Sequence, residues 1–180
     1  MESIESAYQK IFFSRNVESE DTCLTLDNTV QICASYRPHY HEMVVHNTAR
    51  FLDKIKRVVF VGGGDSMLLH EIVKYPSLEL VVGLELDQKV TRNSFKYFGT
   101  QPHYDNEKVQ WWYGDASKSL LMVSEQRKRI PFGVVKKFHC QTCFRVLYIF
   151  KMTNTIFVSY SSLMTILEAL IWFWLIYRKQ

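Results

Sequence analysis

Short apolar runs alternate with polar, glycine-containing segments through the first two thirds of the chain. The runs occupy residues 57–61, 80–84 and 109–113. Each is rich in β-branched or aromatic residues, which predicts a buried strand. After the first run, Leu69, Ile72 and Val73 recur at helical spacing, and Pro76 ends this helix. Strands that alternate with helices predict an α/β fold with a parallel sheet.

The remaining elements follow from the same patterns. Helices are predicted over residues 40–52, 66–74 and 88–98. Nearer the N-terminus, the alternating segments 24–26 and 30–32 flank the turn residues Asp27 and Asn28, which predicts a β-hairpin. The expected organisation is an N-terminal β-hairpin module over residues 1–47, a partial Rossmann-like nucleoside-binding domain over 48–122 and a divergent tail over 123–180.

The first strand runs directly into three glycines. Gly62, Gly63 and Gly64 follow it, and Asp65 precedes the expected helix. Consecutive glycines accept positive φ and let a ligand approach the backbone at a helix N-terminus. This order predicts a cofactor-binding loop.

Two more carboxylates stand where the second and third strands end. Glu85 lies about 20 residues beyond the glycines, where a ribose-binding acid is expected. Asp115 follows Gly114 at the next strand end and is suited to accept a hydrogen bond from an adenine amino group.

The dinucleotide-binding fingerprint is not matched, because Met67 stands at the third glycine position. The pattern is similar to that of enzymes that use S-adenosylmethionine or its decarboxylated form.

Several short motifs stand in the order found in spermidine and spermine synthases. They are Tyr8-Gln9, Leu26-Asp27, Val30-Gln31, Tyr40-His41-Glu42-Met43, Gly62-Gly63-Gly64-Asp65, Glu85-Leu86-Asp87, Lys96-Tyr97-Phe98 and Gly114-Asp115. Over roughly residues 8–122 the chain resembles this family of aminopropyltransferases, most of all the plant synthase-like proteins. The implied fold is a small N-terminal β-hairpin module followed by the first half of a methyltransferase-type, doubly wound sheet.

The resemblance also implies a ligand and its contacts. Decarboxylated S-adenosylmethionine would be a cosubstrate, with no permanently bound cofactor. Its contacts would be Gln9, Tyr40, His41, Gly62, Gly64, Asp65, Glu85 and Asp115. The carboxylate of Asp65 would attract the ammonium of the donor and repel the carboxylate of the ordinary methyl donor.

The chain departs from the family where the catalytic base is expected. The family places a catalytic Asp at the end of the fourth strand, and the nearest counterpart here, residues 132–137, ends in Lys136 and Lys137. Beyond Glu125 the sole acidic residue is Glu168. We therefore expect the catalytic base to be missing and assign no catalytic residue.

Two smaller departures lie near the expected ligand. Ser66 and Met67 replace the usual Gly-Gly after the loop aspartate, and Ser66 is suited to cap the helix. Residues 35–39, Ser-Tyr-Arg-Pro-His, stand in place of an acidic pair before Tyr40. Larger side chains at 66 and 67 would crowd the ligand.

The tail does not continue the family pattern. Residues 156–177 are rich in apolar side chains and long enough to span a bilayer, although Glu168 interrupts them. Three explanations of this tail stay open. It is a C-terminus replaced through alternative splicing or a mispredicted exon, a membrane anchor, or a repurposed core.

Composition narrows the classes further. A length of 180 residues and 47% apolar content fit about one domain with a core. The net charge is +4; the basic residues are spread along the chain and their excess lies in residues 127–137, a run that we interpret as a solvated strip and not as a nucleic-acid site. We expect no metal site at His39, His41 and His46, since no ligand set is completed there. The four cysteines are expected as free thiols in a reducing compartment.

These observations favour a spermidine synthase-like protein of polyamine metabolism that lacks its catalytic base. The alternatives are a non-catalytic nucleoside-binding or dimer-partner subunit and an S-adenosylmethionine-dependent methyltransferase. Expected partners are a nucleoside, a polyamine and a second subunit in a homo- or heterodimer. The cytoplasm is the default compartment, with a plastid or a membrane location as alternatives if a longer N-terminus or an anchoring tail exists.

Overall fold

The structure is a computed structural model. It describes residues 3–15, 18, 20–50 and 52–119, together with the backbone of residues 132–139, 146–152 and 155–161. Among these residues there are two β sheets and three α helices. No helix within them has the length and hydropathy needed to cross a membrane.

The first sheet is antiparallel, and its strands are neighbours in chain order. They are β1 (Ser3–Glu5), β2 (Lys10–Arg15), β3 (Thr22–Leu26) and β4 (Thr29–Cys33). The predicted hairpin is confirmed as β3–β4. Asp27 and Asn28 form its turn with φ values of 46° and 63°, the left-handed conformation that a tight hairpin turn favours. The strands β1 and β2 extend the hairpin into a four-stranded sheet.

The register of β3 and β4 joins two cysteines. Cys23 lies directly opposite Cys33, and the two form a disulfide. The expectation of free thiols is therefore wrong for this pair. Directly opposed residues on antiparallel strands have neighbouring Cβ atoms, and that register is a tertiary property. Cys140 and Cys143 lie outside the described residues.

The second sheet contains the predicted parallel strands. They are β5 (Arg57–Val61), β6 (Leu80–Glu85) and β7 (Val109–Tyr113), in the spatial order β7-β6-β5. The helices are α1 (Arg37–Ala49), α2 (Met67–Ile72) and α3 (Gln88–Phe98). The first helix begins three residues earlier than predicted, because Pro38 is tolerated in a first helical turn.

Three further strands among the described residues belong to this sheet. They are β8 (Phe132–His139), β9 (Val146–Met152) and β10 (Thr155–Ser161). The strand parallel to β5 is β10, whereas β8 lies at the far edge and pairs with β9 alone. Residues 132–137 are thus not the strand beside β5, and the expected position of this segment is wrong. The antiparallel order β8-β9-β10 leaves the last strand free to pair with β5.

Part of the expected membrane segment lies in this sheet. Residues 156–161 belong to β10, and residues 162–177 lie outside the described residues. The division of the chain at residues 47 and 122 stays a prediction.

Two apolar clusters position the site. In one, α1 and α2 cover the parallel sheet through Val44, Leu69 and Phe60. In the other, the N-terminal sheet packs on α3, and the ring of Phe13 stacks on Tyr97 with centroids 4.6 Å apart. The start of α1 and the end of α3 are thereby held next to the loop after β5.

Candidate functional site

Backbone hydrogen bonds join the carboxyl ends of β5, β6 and β7. The N–H of Gly62 donates to the carbonyl of Leu84 at 2.8 Å, and the N–H of Gly114 donates to the carbonyl of Glu85 at 2.9 Å. The glycine loop, Glu85 and the Gly114-Asp115 pair consequently share one edge of the sheet. Ligands of open α/β sheets bind at this edge.

The loop after β5 requires unusual backbone conformations. Gly62 and Gly63 have φ values of 79° and 75°, and Ser66 also lies in the left-handed region at 62°. The expected cap by Ser66 is wrong, because its side chain makes no capping bond. Its buried hydroxyl has no partner among the described residues, whereas Asp65 Oδ1 accepts from the N–H of Met67 at 3.4 Å.

Glu85 is a buried carboxylate at the centre of this edge. It is 7% exposed, and its Oε1 accepts a hydrogen bond from the N–H of Asp87 at 3.1 Å. Gly64 lies so close that a Cβ atom placed there would stand 2.8 Å from Oε2. Burial raises the pKa of Glu85 to about 7, although backbone N–H groups of Asp87 and Gly64 oppose the shift. Removal from water is therefore what makes the ionised form of this carboxylate costly.

Asp65 is held in a buried cluster with two side chains of α1. The Nε atom of Arg37 donates to Asp65 Oδ2 at 2.9 Å, and Nη2 donates to the Asp65 carbonyl at 3.0 Å. The Nε2 atom of His41 lies 3.3 Å from Asp65 Oδ1. The exposed fractions of the three side chains are between 4% and 6%.

The charges of this cluster stabilise ionised Asp65. Burial by itself raises the pKa of Asp65, but the charges and hydrogen bonds of His41 and Arg37 outweigh it and lower the pKa below its usual range. The Nδ1 atom of His41 lies 2.7 Å from the carbonyl oxygen of Arg37. Both ring nitrogens of His41 thus lie close to oxygen atoms, one of Arg37 and one of Asp65.

Sequence reasoning did not assign Arg37 to the site. Besides Asp65, its guanidinium donates to the hydroxyl of Thr100 and lies over the ring of Phe98, 4.1 Å from the centroid. The signal was present in the sequence, since a basic residue stands in the segment where the family has an acidic pair. Its partner became evident only from the fold.

Asp115 lies at the start of a helical turn after β7. Its Oδ1 accepts hydrogen bonds from the N–H and the hydroxyl of Ser117. These bonds lower the pKa of Asp115, the hydroxyl contributing most. The side chain is exposed and therefore open to a ligand from solvent.

Gln9 and Tyr40 lie on different elements. Gln9 ends the turn before β2, where its backbone N–H and carbonyl bond Ser6. Tyr40 lies on α1, and its ring meets that of His41 edge-on with centroids 4.9 Å apart. Their contacts with a ligand stay predictions.

The fold and the glycine loop define a Rossmann-like α/β protein of the methyltransferase type. The family model described as "Spermine/spermidine synthase domain" matches residues 37–136. The chain therefore belongs to the spermine/spermidine synthase family.

The relatives agree with this assignment. The chain is 41% identical over 113 residues to a polyamine aminopropyltransferase of Thermoanaerobacter sp. (strain X514), covering 62% of this chain and 40% of the relative. It is 32% identical over 116 residues to polyamine aminopropyltransferase 2 of Caldanaerobacter subterraneus subsp. tengcongensis, covering 64% of this chain and 38% of the relative. The chain thus spans about two fifths of the length of these relatives.

Solved structures show the same fold. The crystal structure of spermidine synthase from Thermotoga maritima superposes with a TM-score of 0.61 at 25% identity, covering 67% of this chain and 43% of that one. A spermidine synthase in complex with the transition state analogue AdoDATO gives the same TM-score and identity, covering 67% and 42%.

Proposed function

We propose that this chain binds the adenosine part of decarboxylated S-adenosylmethionine at the carboxyl edge of β5, β6 and β7. The observation that supports this proposal most is Glu85, a buried carboxylate beside a glycine loop. Burial makes its ionised form costly, as the raised pKa indicates. The two hydroxyl groups of a ribose would supply donors to both carboxylate oxygens.

The other residues complete a nucleoside site in this proposal. Gly62 and Gly64 let the ligand lie against the backbone, since a side chain at Gly64 would fill the space next to Glu85. Asp115 would accept from the adenine amino group. Gln9, Tyr40 and His41 would contact the remainder of the donor, and a polyamine would be the acceptor in the family reaction of aminopropyl transfer.

We further propose that the chain binds the donor without transferring its aminopropyl group. An amine acceptor must lose a proton before it attacks the carbon beside the sulfonium, and a carboxylate is the expected base. In this chain β10 lies beside β5, and the sequence beyond it contains no acid before Glu168. General-base catalysis contributes about 10² to 10⁴-fold, so its loss should lower turnover by about that factor.

Calorimetry with 5′-methylthioadenosine tests the nucleoside site. Glu85→Gln should weaken binding by about 1 to 3 kcal/mol, because the amide offers one acceptor oxygen in place of two. Glu79→Gln is the matched control. Glu79 is exposed, pairs with Lys56 and precedes β6, at the end of the strand opposite to Glu85. Equal affinity of the Glu85 variant and the unaltered chain would contradict the proposal.

A transfer assay tests the catalytic part. The full chain, decarboxylated S-adenosylmethionine and putrescine should give no spermidine above a protein-free blank. The same assay with spermidine as acceptor should give no spermine. Product above the blank that disappears in Asp65→Ala would show that another group serves as the base.

A further inference from the structure

We propose that Arg37 determines ligand specificity by occupying the cation position beside Asp65. The site then prefers a nucleoside with an uncharged 5′ thioether side chain to one that ends in an ammonium group. This inference rests on the proposed nucleoside site and adds the charge of the ligand that the site accepts.

The carboxylate of Asp65 is already engaged on both oxygens. Oδ2 accepts from Arg37 at 2.9 Å, and Oδ1 faces His41 at 3.3 Å. A ligand ammonium could therefore reach this buried carboxylate only beside the Arg37 guanidinium, or by displacing it. Separating a buried ion pair leaves an uncompensated charge, which is strongly unfavourable.

Arg37 is fixed in this position by more than its ion pair. Its Nη2 atom donates to the Asp65 carbonyl and to the Thr100 hydroxyl, and its guanidinium lies on the ring of Phe98. Phe98 in turn packs edge-on against Phe13 of the N-terminal sheet, with centroids 5.4 Å apart. The guanidinium is thus held by Asp65, Thr100 and Phe98, and moving it away from Asp65 would break all of these contacts.

The charge balance opposes a second cation. The charges of Arg37 and ionised Asp65 cancel, so this buried pair offers a ligand ammonium no net negative charge. The aminopropyl donor carries a sulfonium and an ammonium, whereas methylthioadenosine carries neither. Like charges in a poorly solvated region repel strongly, so the uncharged nucleoside is favoured.

Competing titrations provide the test. Calorimetry on the full chain measures the dissociation constants of 5′-methylthioadenosine and decarboxylated S-adenosylmethionine. We expect methylthioadenosine to bind at least about tenfold more tightly. Arg37→Gln removes the cation and should narrow this ratio about tenfold or more, whereas Arg37→Lys keeps the charge and should leave the ratio within about threefold.

The outcomes separate the two proposals. Tight binding of methylthioadenosine with equal or tighter binding of the decarboxylated donor overturns the role of Arg37 and leaves the nucleoside site intact. No binding of either ligand overturns both. If Arg37→Gln weakens both ligands equally, Arg37 is only structural. If Arg37→Gln does not fold, the ratio of the two dissociation constants, measured for the unaltered chain and for Arg37→Lys, still tests the proposed specificity.

Discussion

Gly64 lies directly against the carboxylate of Glu85, with room for a hydrogen atom and not for a methyl group. A Cβ atom at residue 64 would stand 2.8 Å from Glu85 Oε2 and 2.9 Å from Cγ1 of Val90. The glycine loop and the acid of β6 therefore form one unit. This contact explains why a glycine is needed at that position although its φ is not positive.

We expect Gly64→Ala to lower the free energy of unfolding by about 1 to 3 kcal/mol and to weaken nucleoside binding, because Glu85 and Val90 must shift. Gly99→Ala is the control. Gly99 has a φ of 73° with open space around it, so the variant should cost about 1 kcal/mol and leave binding unchanged. Urea unfolding and calorimetry measure both quantities, and parallel behaviour of the two variants would contradict the prediction.

Glu85 should make stability fall as pH rises through neutrality. Its folded pKa of about 7 lies above the ordinary value of 4.5, so the folded state binds more protons between these values. Stability is therefore fully present below about pH 4.5 and decreases up to about pH 7. The free energy of unfolding of Glu85→Gln should exceed that of the unaltered chain by about 3 kcal/mol at pH 8 and by little at pH 4.5. A pH-independent difference in urea unfolding would disprove this prediction.

Asp65 should make stability fall as pH decreases, opposite to the effect of Glu85. Its pKa is lowered in the folded state, so its contribution is present above the unfolded pKa and is lost as pH falls through the folded value. We expect Asp65→Asn to cost about 3 to 5 kcal/mol at pH 7, since Arg37 is left buried without its partner. The cost should shrink toward pH 3. Asp53→Asn, at an exposed position, is the control and should change stability little at either pH.

Ser66 offers a gain in stability. A serine at a φ of 62° is strained, and its hydroxyl is buried without a partner among the described residues. We expect Ser66→Gly to raise the free energy of unfolding by about 1 kcal/mol. Ser66→Ala removes the hydroxyl and keeps the backbone strain, so it should gain less. Thermal unfolding of the two variants separates these contributions, and a destabilised Ser66→Gly would refute the assignment of strain.

Local pattern in the sequence was sufficient for the central elements. The apolar runs gave β5, β6 and β7 almost to the residue, and the Asp27-Asn28 turn gave the β3–β4 hairpin. Parallel strands end at one edge, so the sequence also placed the glycine loop, Glu85 and Asp115 together. These features depend on side-chain periodicity and turn geometry, which act over a few residues.

Features that need contacts between distant residues were decided by the tertiary structure. The disulfide depends on the register of β3 and β4, and the position of β10 depends on which strand edge stays free. Arg37 and Asp65 are 28 residues apart, and only the packing of α1 beside the loop after β5 makes them an ion pair. The sequence by itself determined which chemical groups stand at the strand ends. The fold decided which of those groups are already neutralised, because burial and pairing of charge depend on long-range packing.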